Sequence, residues 1–292
     1  MDDDFWQALP LEVEVEAYRS LYPDLARMSD GELLNHYNTY GRVEGRTGNR
    51  LRDRNDFAAL IPRSANVLEI GPFCNPLLRG SNVSYFDVLS QDELITRARL
   101  IGLDAAEVPY IDFVSPTSDL SIVNRHFDVI VSSHCLEHQP DLVSHLQDVG
   151  RLLRPGGAYF LLVPDKRYCF DHYIPLSSLA EIMIARHERR KAHTLRSVIE
   201  HRALITHNDS LRHWQGDHGV MFENFEQRLR AALREFDDVK GGYIDVHAWY
   251  FTYDSASAIL AALQHMRLIQ FATHRVYAPR HGSNEFWMIL RA

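Results

Sequence analysis

Cysteine is scarce in this chain of 292 residues, and its distribution indicates neither a metal framework nor a set of disulfides. The three cysteines, Cys74, Cys135 and Cys169, are far apart and form no CxxC pair. Because closely spaced cysteine pairs are the usual signature of structural zinc, such a site is not expected here. Reduced thiols are typical of cytoplasmic proteins, and we predict that location.

Long apolar runs and an excess of basic residues are also missing. No run is long enough for a membrane span, and the acidic start at residues 1–4 is unlike a signal sequence. The net charge is −8, which argues against a nucleic-acid partner because phosphate binding usually needs a basic face. The basic run at residues 186–191 is interpreted as a solvated helix face.

What is present is an alternation of strand and helix patterns. Residues 1–50 show helical spacing without a strand and predict an N-terminal helical module, and residues 51–292 predict one domain. The alternation in that domain predicts an α/β, doubly wound and mostly parallel sheet. Strands are predicted at 67–71, 83–88, 110–114, 127–132 and 158–163, with helices at 92–103 and 141–153.

The second half of the domain departs from this rhythm. Residues 164 to about 245 are rich in histidine and mostly helical, and they are too long for a plain connection, so we predict a helical insertion. A helix near 254–265 and strands at 268–277 and 284–291 follow. Turn residues at 280–283 predict that the last two strands form an antiparallel hairpin.

Glycine is sparse in the loop that follows the first strand. The run Val67-Leu68-Glu69-Ile70-Gly71 continues with Pro72-Phe73-Cys74-Asn75-Pro76, so only Gly71 allows a tight turn and a close ligand approach. A dinucleotide site needs more glycine here, and it is not predicted. A buried Glu69 requires hydrogen bonds, either from a ligand or from the following loop.

Several motifs occur in the order found in one enzyme family. Residues 67–71, Asp87 at the end of the second strand, the strand at 127–132 followed by Leu136-Glu137-His138, and the turn Leu153-Arg154-Pro155-Gly156-Gly157 carry the resemblance. Together they resemble class I S-adenosylmethionine-dependent methyltransferases. The resemblance implies an enzyme with a seven-stranded Rossmann-like sheet, an antiparallel last strand and S-adenosyl-L-methionine as cofactor.

The same resemblance implies a set of cofactor-binding residues. Asp87 would bind the ribose hydroxyls, and either Asp112 or Asp119 the adenine amino group. The turn after the first strand would hold the methionine part, and the end of the fourth strand would face the methyl group. The residues of the turn are Glu69, Gly71, Pro72, Phe73 and Asn75, and those at the end of the fourth strand are Ser133 and His134.

A narrower resemblance concerns the acceptor. Residues 163–171 and 245–252 are similar to methyltransferases encoded with polysaccharide glycosyltransferases, and residues 22–46 are similar to a short module of bacterial surface-glycan enzymes. This implies O-methylation of a saccharide or glycan precursor. The alternatives are methylation of a small metabolite or lipid-linked intermediate, and a non-catalytic glycosyltransferase partner tethered through residues 1–50. Each of these three functions is compatible with a glycosyltransferase partner and with a homo-oligomer.

A general base is expected, because a sugar hydroxyl is a poor nucleophile and histidine titrates near neutrality. The two candidates for catalysis are His134, at the end of a strand, and His247, which follows Asp245; a hydrogen-bonded structural role is an equal alternative for His247. His138 is interpreted as a residue at a helix start whose ring packs on the sheet.

Four residues after the fifth strand are candidates for acceptor binding. Lys166 and Arg167 suit an anionic sugar or phosphate, Tyr168 suits stacking on a sugar ring, and Asp165 completes the group; the alternative is an ion-paired loop. A divalent metal held by carboxylates is weighed but not expected, and no zinc spacing is found. The ligands considered for it are Asp165, Asp171, Asp217, His218 and Asp245.

Overall fold

A computed structural model describes residues 1–292, and its centre is a seven-stranded sheet. The strand order is β3-β2-β1-β4-β5-β7-β6, with β1 to β5 parallel and β7 antiparallel to both neighbours. This confirms the predicted doubly wound sheet with an antiparallel end. The strands are β1 Val67–Ile70, β2 Val83–Asp87, β3 Phe113–Val114, β4 Phe127–Ser133, β5 Leu153–Pro164, β6 Ala272–Tyr277 and β7 Glu285–Arg291.

Helices cover both faces of the sheet. Side-chain caps define many of their starts; for example, Ser90 and Glu93 form a capping box at the start of α5. The helices are α1 Asp3–Ala8, α2 Val15–Leu21, α3 Asp30–His36, α4 Arg54–Ala58, α5 Gln91–Leu100, α6 Leu142–Leu152, α7 Leu179–Glu188, α8 Leu195–Ala203, α9 Ser210–Trp214, α10 Phe225–Val239 and α11 Tyr253–His265.

The central strands are apolar on both faces, as strands buried between two helical layers must be. Alternate residues of β4 and β5 therefore belong to two different cores. On one face Ile130 and Leu161 join a cluster of 30 buried residues that includes α6 and α11. On the other face Val131 and Phe160 join a cluster of 15 residues that includes Phe57 of α4.

The first 50 residues contact the sheet through their first helix. Trp6 of α1 lies in the 15-residue cluster and meets the His274 ring edge-on at 4.7 Å. By contrast, α2 and α3 share a small cluster of their own, which contains Tyr18 and Leu33. Whether residues 1–50 form a separate module stays a prediction.

Residues 165–245 contain α7 to α10, and Tyr243 and Asp245, at the end of this segment, approach the carboxyl ends of the parallel strands. The segment is joined to the sheet edge by a bridge between Asp165 and Phe251, and by the Glu137 carbonyl, which accepts hydrogen bonds from the N–H groups of Ala248 and Trp249. None of the protein's helices combines the length and the apolar character that a membrane span requires.

Several boundaries differ from those predicted. The third strand is only Phe113–Val114, because Asp112 turns its carboxylate back onto the N–H of Tyr85 in β2. The sixth strand begins at Ala272, four residues later than predicted. The fifth begins at Leu153, because residues 155–157 form an irregularity within the strand and shift its register against β4.

Candidate active site

A cleft opens at the carboxyl ends of β1, β2 and β4, where the strand order reverses. Open α/β sheets bind ligands at this place. The cavity encloses about 210 Å³. Its apolar wall includes Ile70, Phe73, Phe86 and Leu94, and its polar wall includes Asp87, Arg97, His134, His138, Tyr243 and Asp245.

The turn after β1 depends on Gly71. Its φ is +69°, and a Cβ added there would lie 2.3 Å from the Sγ atom of Cys135. Its N–H donates to the carbonyl of Phe86 in β2. Phe73, also at positive φ, brings its ring into the cleft, with the Arg97 guanidinium 5.8 Å from the ring centre. The single glycine therefore provides the close packing between the loops after β1 and β4.

Glu69 is buried and holds the loop that follows β1. Its carboxylate accepts hydrogen bonds from the N–H groups of Leu77 at 2.6 Å and Leu78 at 3.0 Å. Burial raises the pKa of Glu69 to about 7. Of the two roles considered for Glu69, the structure places it in the second, as an acceptor for the loop, and it does not line the cleft.

Two further loop residues lie outside the cleft lining. Pro72 is buried, and its carbonyl accepts a hydrogen bond from the N–H of the exposed Asn75, which closes a turn. Their predicted contact with the cofactor is therefore not seen in the geometry. Gly71 and Phe73 are the members of the predicted loop set that reach the cavity.

Asp87 occupies the position expected of a ribose-binding carboxylate. It ends β2, is 7% exposed and lines the cleft. One oxygen accepts a hydrogen bond from the N–H of Leu89 at 3.1 Å. Burial is the largest influence on this group and raises the pKa of Asp87 to about 6, in spite of the hydrogen bonds it accepts.

The two aspartates suggested for the adenine amino group do not line the cavity. Asp112 precedes β3 instead of following it, and its carboxylate is exposed and bonded to the N–H of Tyr85 at 2.9 Å. Asp119 caps a 3₁₀ turn by accepting from the N–H of Ser121. Ser118, which was not predicted, lies at this end of the cavity.

His134 lies in the cleft and is held by a buried carboxylate. Its Nε2 atom is 2.9 Å from Glu285, which also accepts hydrogen bonds from Arg54 and Trp287. Although burial opposes it, the hydrogen bonds from His134 and Arg54 hold the pKa of Glu285 at about 2. The neighbouring Ser133 is half-buried and outside the lining. Glu285 lies 151 positions from His134, and no local pattern indicated the pair.

An ion pair forms part of the cleft wall. Arg97 of α5 pairs with Asp245, at the end of the helical insertion, and both line the cavity beside Tyr243. The Nδ1 atom of His138 lies 3.0 Å from the other oxygen of Asp245. Despite its burial, these two cationic partners hold the pKa of Asp245 well below its usual range. Sequence reasoning placed Asp245 among metal ligands and missed Arg97.

His247 and His138 contact each other in a group that also contains Glu137. His247 is 4% exposed, does not line the cavity, and has its Nδ1 atom 2.6 Å from Asp171. The His138 ring meets that of His247 edge-on at 4.7 Å, and His138 itself lines the cleft. Glu137 is completely buried, and neither carboxylate oxygen has a hydrogen-bond partner.

The four residues suggested for acceptor binding already have partners within the protein. Arg167 makes a two-pronged pair with the buried Asp165, at 2.8 and 2.7 Å, and Lys166 donates to the carbonyl of His172. The ring of Tyr168 stacks on Trp214 at 3.8 Å, with the Arg167 guanidinium 5.1 Å from its centre. The expected sugar-stacking surface of Tyr168 is therefore covered, and the geometry is that of the ion-paired loop.

Residues 43–220, more than half of the chain, match a family model described as a methyltransferase domain. The chain belongs to this methyltransferase family. It is an S-adenosylmethionine-dependent methyltransferase with the class I fold, as the strand order, the closing antiparallel strands and the cleft at the switch point indicate. The fold, the enzyme class and the cofactor expected from the sequence are thus confirmed.

Similarity to individual proteins is low. A segment of 140 residues, 47% of the methyltransferase chain, is 28% identical to a highly reducing polyketide synthase, lcsB, of Purpureocillium lilacinum, and the chain spans about 6% of that relative's length. An S-adenosylmethionine-dependent methyltransferase structure from Mesorhizobium loti is 16% identical, with a TM-score of 0.42, 82% of this chain and 98% of that chain being covered. The CurJ carbon methyltransferase is 13% identical, with a TM-score of 0.40 and coverages of 82% and 54%.

The cleft of the methyltransferase fits S-adenosylmethionine in its donor set. The buried Asp87 carboxylate can accept hydrogen bonds from a diol, and Ile70 and Phe86 give an apolar wall for a base. The cavity volume, about 210 Å³, is below the roughly 300–1,000 Å³ of typical ligand pockets.

Proposed function

We propose that the methyltransferase methylates a hydroxyl group of a saccharide or glycan precursor and that His134 is its general base. The observation that carries this proposal is the pair of His134 and Glu285 at the cofactor cleft. His134 lines the cavity, and its Nε2 atom lies 2.9 Å from a carboxylate that two further donors keep ionised and fixed.

The pair assigns the two nitrogens of His134 different roles. Because Glu285 can only accept, Nε2 carries the hydrogen, and Nδ1, which lies 3.9 Å from Oε1 of the buried Glu137, keeps the lone pair that a general base needs. The carboxylate orients the ring and stabilises the imidazolium formed when Nδ1 takes a proton. When bound, S-adenosylmethionine supplies an electrophilic methyl group, so the protein mainly has to align the hydroxyl, remove its proton and exclude water.

His134 suits this role better than His247. The side chain of His134 is 32% exposed and faces the cleft, whereas that of His247 is 6% exposed and lies outside the lining. An acceptor hydroxyl can reach the first ring but not the second without displacement of the residues that cover it. We therefore assign His247 to the supporting structure of the site.

The nature of the acceptor is supported by the sequence. Residues 163–171 and 245–252 resemble methyltransferases of polysaccharide biosynthesis, and Asp245, which belongs to the second of these stretches, lines the cleft. A glycosyltransferase partner for residues 1–50 and a cytoplasmic location belong to the same proposal. So does an acceptor role for residues 165–168, which would require their internal pairs to open.

A carbon acid is the second candidate acceptor. The methyltransferase is 28% identical over 140 residues to a highly reducing polyketide synthase. An imidazole base that takes a proton from oxygen can also take one from an acidic carbon. Analysis of the bond formed in the product distinguishes the two reactions.

The test is incubation with methyl-labelled S-adenosylmethionine and extracts of cell-surface glycans, with the product located by mass spectrometry. We expect label in a saccharide oxygen. His134→Asn should lower kcat by about 10²–10⁴-fold, the usual contribution of a general base. Asparagine is chosen because it tolerates the positive φ of 52° at this position.

Two controls accompany this test. The exposed His265, at the end of α11, provides His265→Gln, which should leave kcat unchanged. Binding of S-adenosylhomocysteine to His134→Asn, measured by calorimetry, shows whether the cofactor site is intact. Label found only in protein or nucleic acid would exclude the glycan acceptor, and full activity of His134→Asn would exclude the assigned base.

A further inference from the structure

Glu137 is a buried carboxylate without a hydrogen-bond partner. It lies in the 3₁₀ turn Leu136–His138 directly after β4, is 0% exposed, and both of its oxygens lack a partner. An uncompensated carboxylate in such a place is costly, because burial removes the water that stabilises its charge. Something that is positively charged is therefore expected next to it.

Three imidazole nitrogens lie around the same Glu137 oxygen. The Nε2 atoms of His247 and His138 lie 3.8 and 3.9 Å from Oε1, and Nδ1 of His134, the ring assigned above as the base, lies 3.9 Å from it. These separations are beyond the range of a hydrogen bond, which ends near 3.2 Å for N–H···O. The ligand atoms of Glu137, His138 and His247 all lie within 4.8 Å of one another.

The other nitrogen of each ring already faces a carboxylate. Nδ1 of His247 forms a hydrogen bond with Asp171 at 2.6 Å, whereas Nδ1 of His138 lies 3.0 Å from Asp245 at angles outside those of a hydrogen bond. Each carboxylate favours the hydrogen on Nδ1 and leaves a lone pair on Nε2. Two lone pairs would then face the Glu137 carboxylate, an arrangement that is repulsive unless a cation lies between them. Carboxylate–histidine–metal triads have this pattern.

We propose that Glu137, His138 and His247 bind a divalent transition-metal ion, with Zn²⁺ as the reference ion. Bonds of about 2.0–2.2 Å to tetrahedral ligands would place the ligand atoms about 3.4 Å apart. The observed separations of 3.8 and 3.9 Å need to shorten by only a few tenths of an ångström. Two imidazoles and one carboxylate suit zinc or iron, whereas Mg²⁺ and Ca²⁺ prefer oxygen ligands.

This site differs from the carboxylate set weighed from the sequence, and it replaces the expectation of a protein without metal. Asp171 and Asp245, which were considered as ligands, here orient the ligating rings. The ion would tie the turn after β4 to residues 245–249, whose N–H groups at Ala248 and Trp249 already contact the Glu137 carbonyl. It would thereby hold Asp245, and with it this part of the cleft wall, in place.

The first measurement uses the wild-type protein. It is stripped with a chelator, dialysed against Zn²⁺ or Mg²⁺, freed of excess ion and assayed for bound metal. We expect one tightly held equivalent of Zn²⁺, no retained Mg²⁺ and a higher melting temperature with Zn²⁺, because an ion that binds only the folded state stabilises it. A stripped protein that takes up no Zn²⁺ would overturn the proposal, whatever the acceptor of the methyl group proves to be.

Variants locate the bound ion. A second histidine group, His172, His213 and His218, is partly exposed and could take up Zn²⁺ independently. Glu137→Gln should lose the tight equivalent, whereas the control His218→Gln should keep it. Asp171→Asn should weaken Zn²⁺ binding by about 10–100-fold without abolishing it, as expected for a positioning residue. Retention of the ion by Glu137→Gln, or its loss from His218→Gln, would contradict the assignment. Absorption spectra of the same proteins loaded with Co²⁺ report the geometry of the ligands.

Discussion

Asp87→Asn should stabilise the free methyltransferase while it weakens cofactor binding. The two effects have one cause, the burial of a carboxylate at the position where the sequence resemblance predicts contact with the ribose hydroxyls. Burial raises the pKa of Asp87 from 3.8 to about 6. Each pKa unit corresponds to 1.36 kcal/mol, so the ionised group costs the folded state about 3 kcal/mol relative to the neutral form.

The pH dependence of this cost follows from the two pKa values. Because the folded-state value is the higher one, the folded protein keeps a proton between about pH 3.8 and pH 6 that the unfolded chain has released. Stability therefore falls as the pH rises through this window and is constant above it. Asparagine resembles the neutral acid and keeps an oxygen for the N–H of Leu89. The free energy of unfolding of Asp87→Asn should therefore exceed that of the wild type by about 3 kcal/mol at pH 8 and by about half of that at pH 5.

The cofactor should respond in the opposite direction. A hydrogen bond to a charged group contributes about 1.5–3 kcal/mol, so Asp87→Asn should weaken S-adenosylhomocysteine binding by roughly 10–100-fold. For the wild type, affinity should decline below about pH 6, where Asp87 takes up a proton. Urea denaturation at pH 8 and pH 5 measures the first effect, and titration calorimetry measures the second.

Asp112→Asn is the matched control, since Asp112 is an exposed acid outside the cleft and should leave cofactor affinity unchanged. The reasoning on Asp87 would be refuted by an Asp87→Asn protein that is less stable than the wild type at pH 8. Unchanged affinity for S-adenosylhomocysteine in that variant would refute the ribose assignment separately.

Two other changes test the frame of the cleft. Gly71→Ala should lower the free energy of unfolding by about 1–2 kcal/mol because of the positive φ of 69°, and further because the new methyl group meets Cys135. In urea denaturation, adding Cys135→Ala should restore only the part that is due to this contact. An unchanged stability of the single variant would be inconsistent with the tight turn. Arg97→Gln breaks the pair with Asp245. Since the Arg97 side chain is 41% exposed, we expect the free energy of unfolding to change by less than about 1 kcal/mol. Release of S-adenosylhomocysteine, measured by stopped flow, should become faster; an unchanged rate would argue against a role of this pair in retaining the cofactor.

The core of the fold could be predicted because its strands are unusually clear. β1, β4 and β5 are buried on both faces, so their apolar runs stand out, and the acidic or polar residues at their ends mark the ligand edge. The start of the short β3 could not be predicted, because it is set by the hydrogen bond between Asp112 and Tyr85, which the sequence pattern does not show. The six-residue α1 has too few residues for a helical period and was missed.

The candidate site was less predictable, because its partners come from distant parts of the chain. Asp87, Gly71 and His134 follow strands and could be named from position. Glu285 and Arg97 could not, since each reaches its partner across about half of the chain. Glu137 stood out in the sequence only as part of a short motif. That it is buried next to histidines is a tertiary feature, which the spacing of residues along the chain does not predict.

The stack of Tyr168 and Trp214 also makes the helical insertion visible to spectroscopy. Trp214 donates its indole N–H to the carbonyl of Ser283 and is half-buried, whereas the other three tryptophans are at most 5% exposed. A neutral collisional quencher will therefore reach Trp214 first. Fluorescence quenching without an added label can follow the separation of the insertion from the closing hairpin as cofactor and acceptor enter and leave.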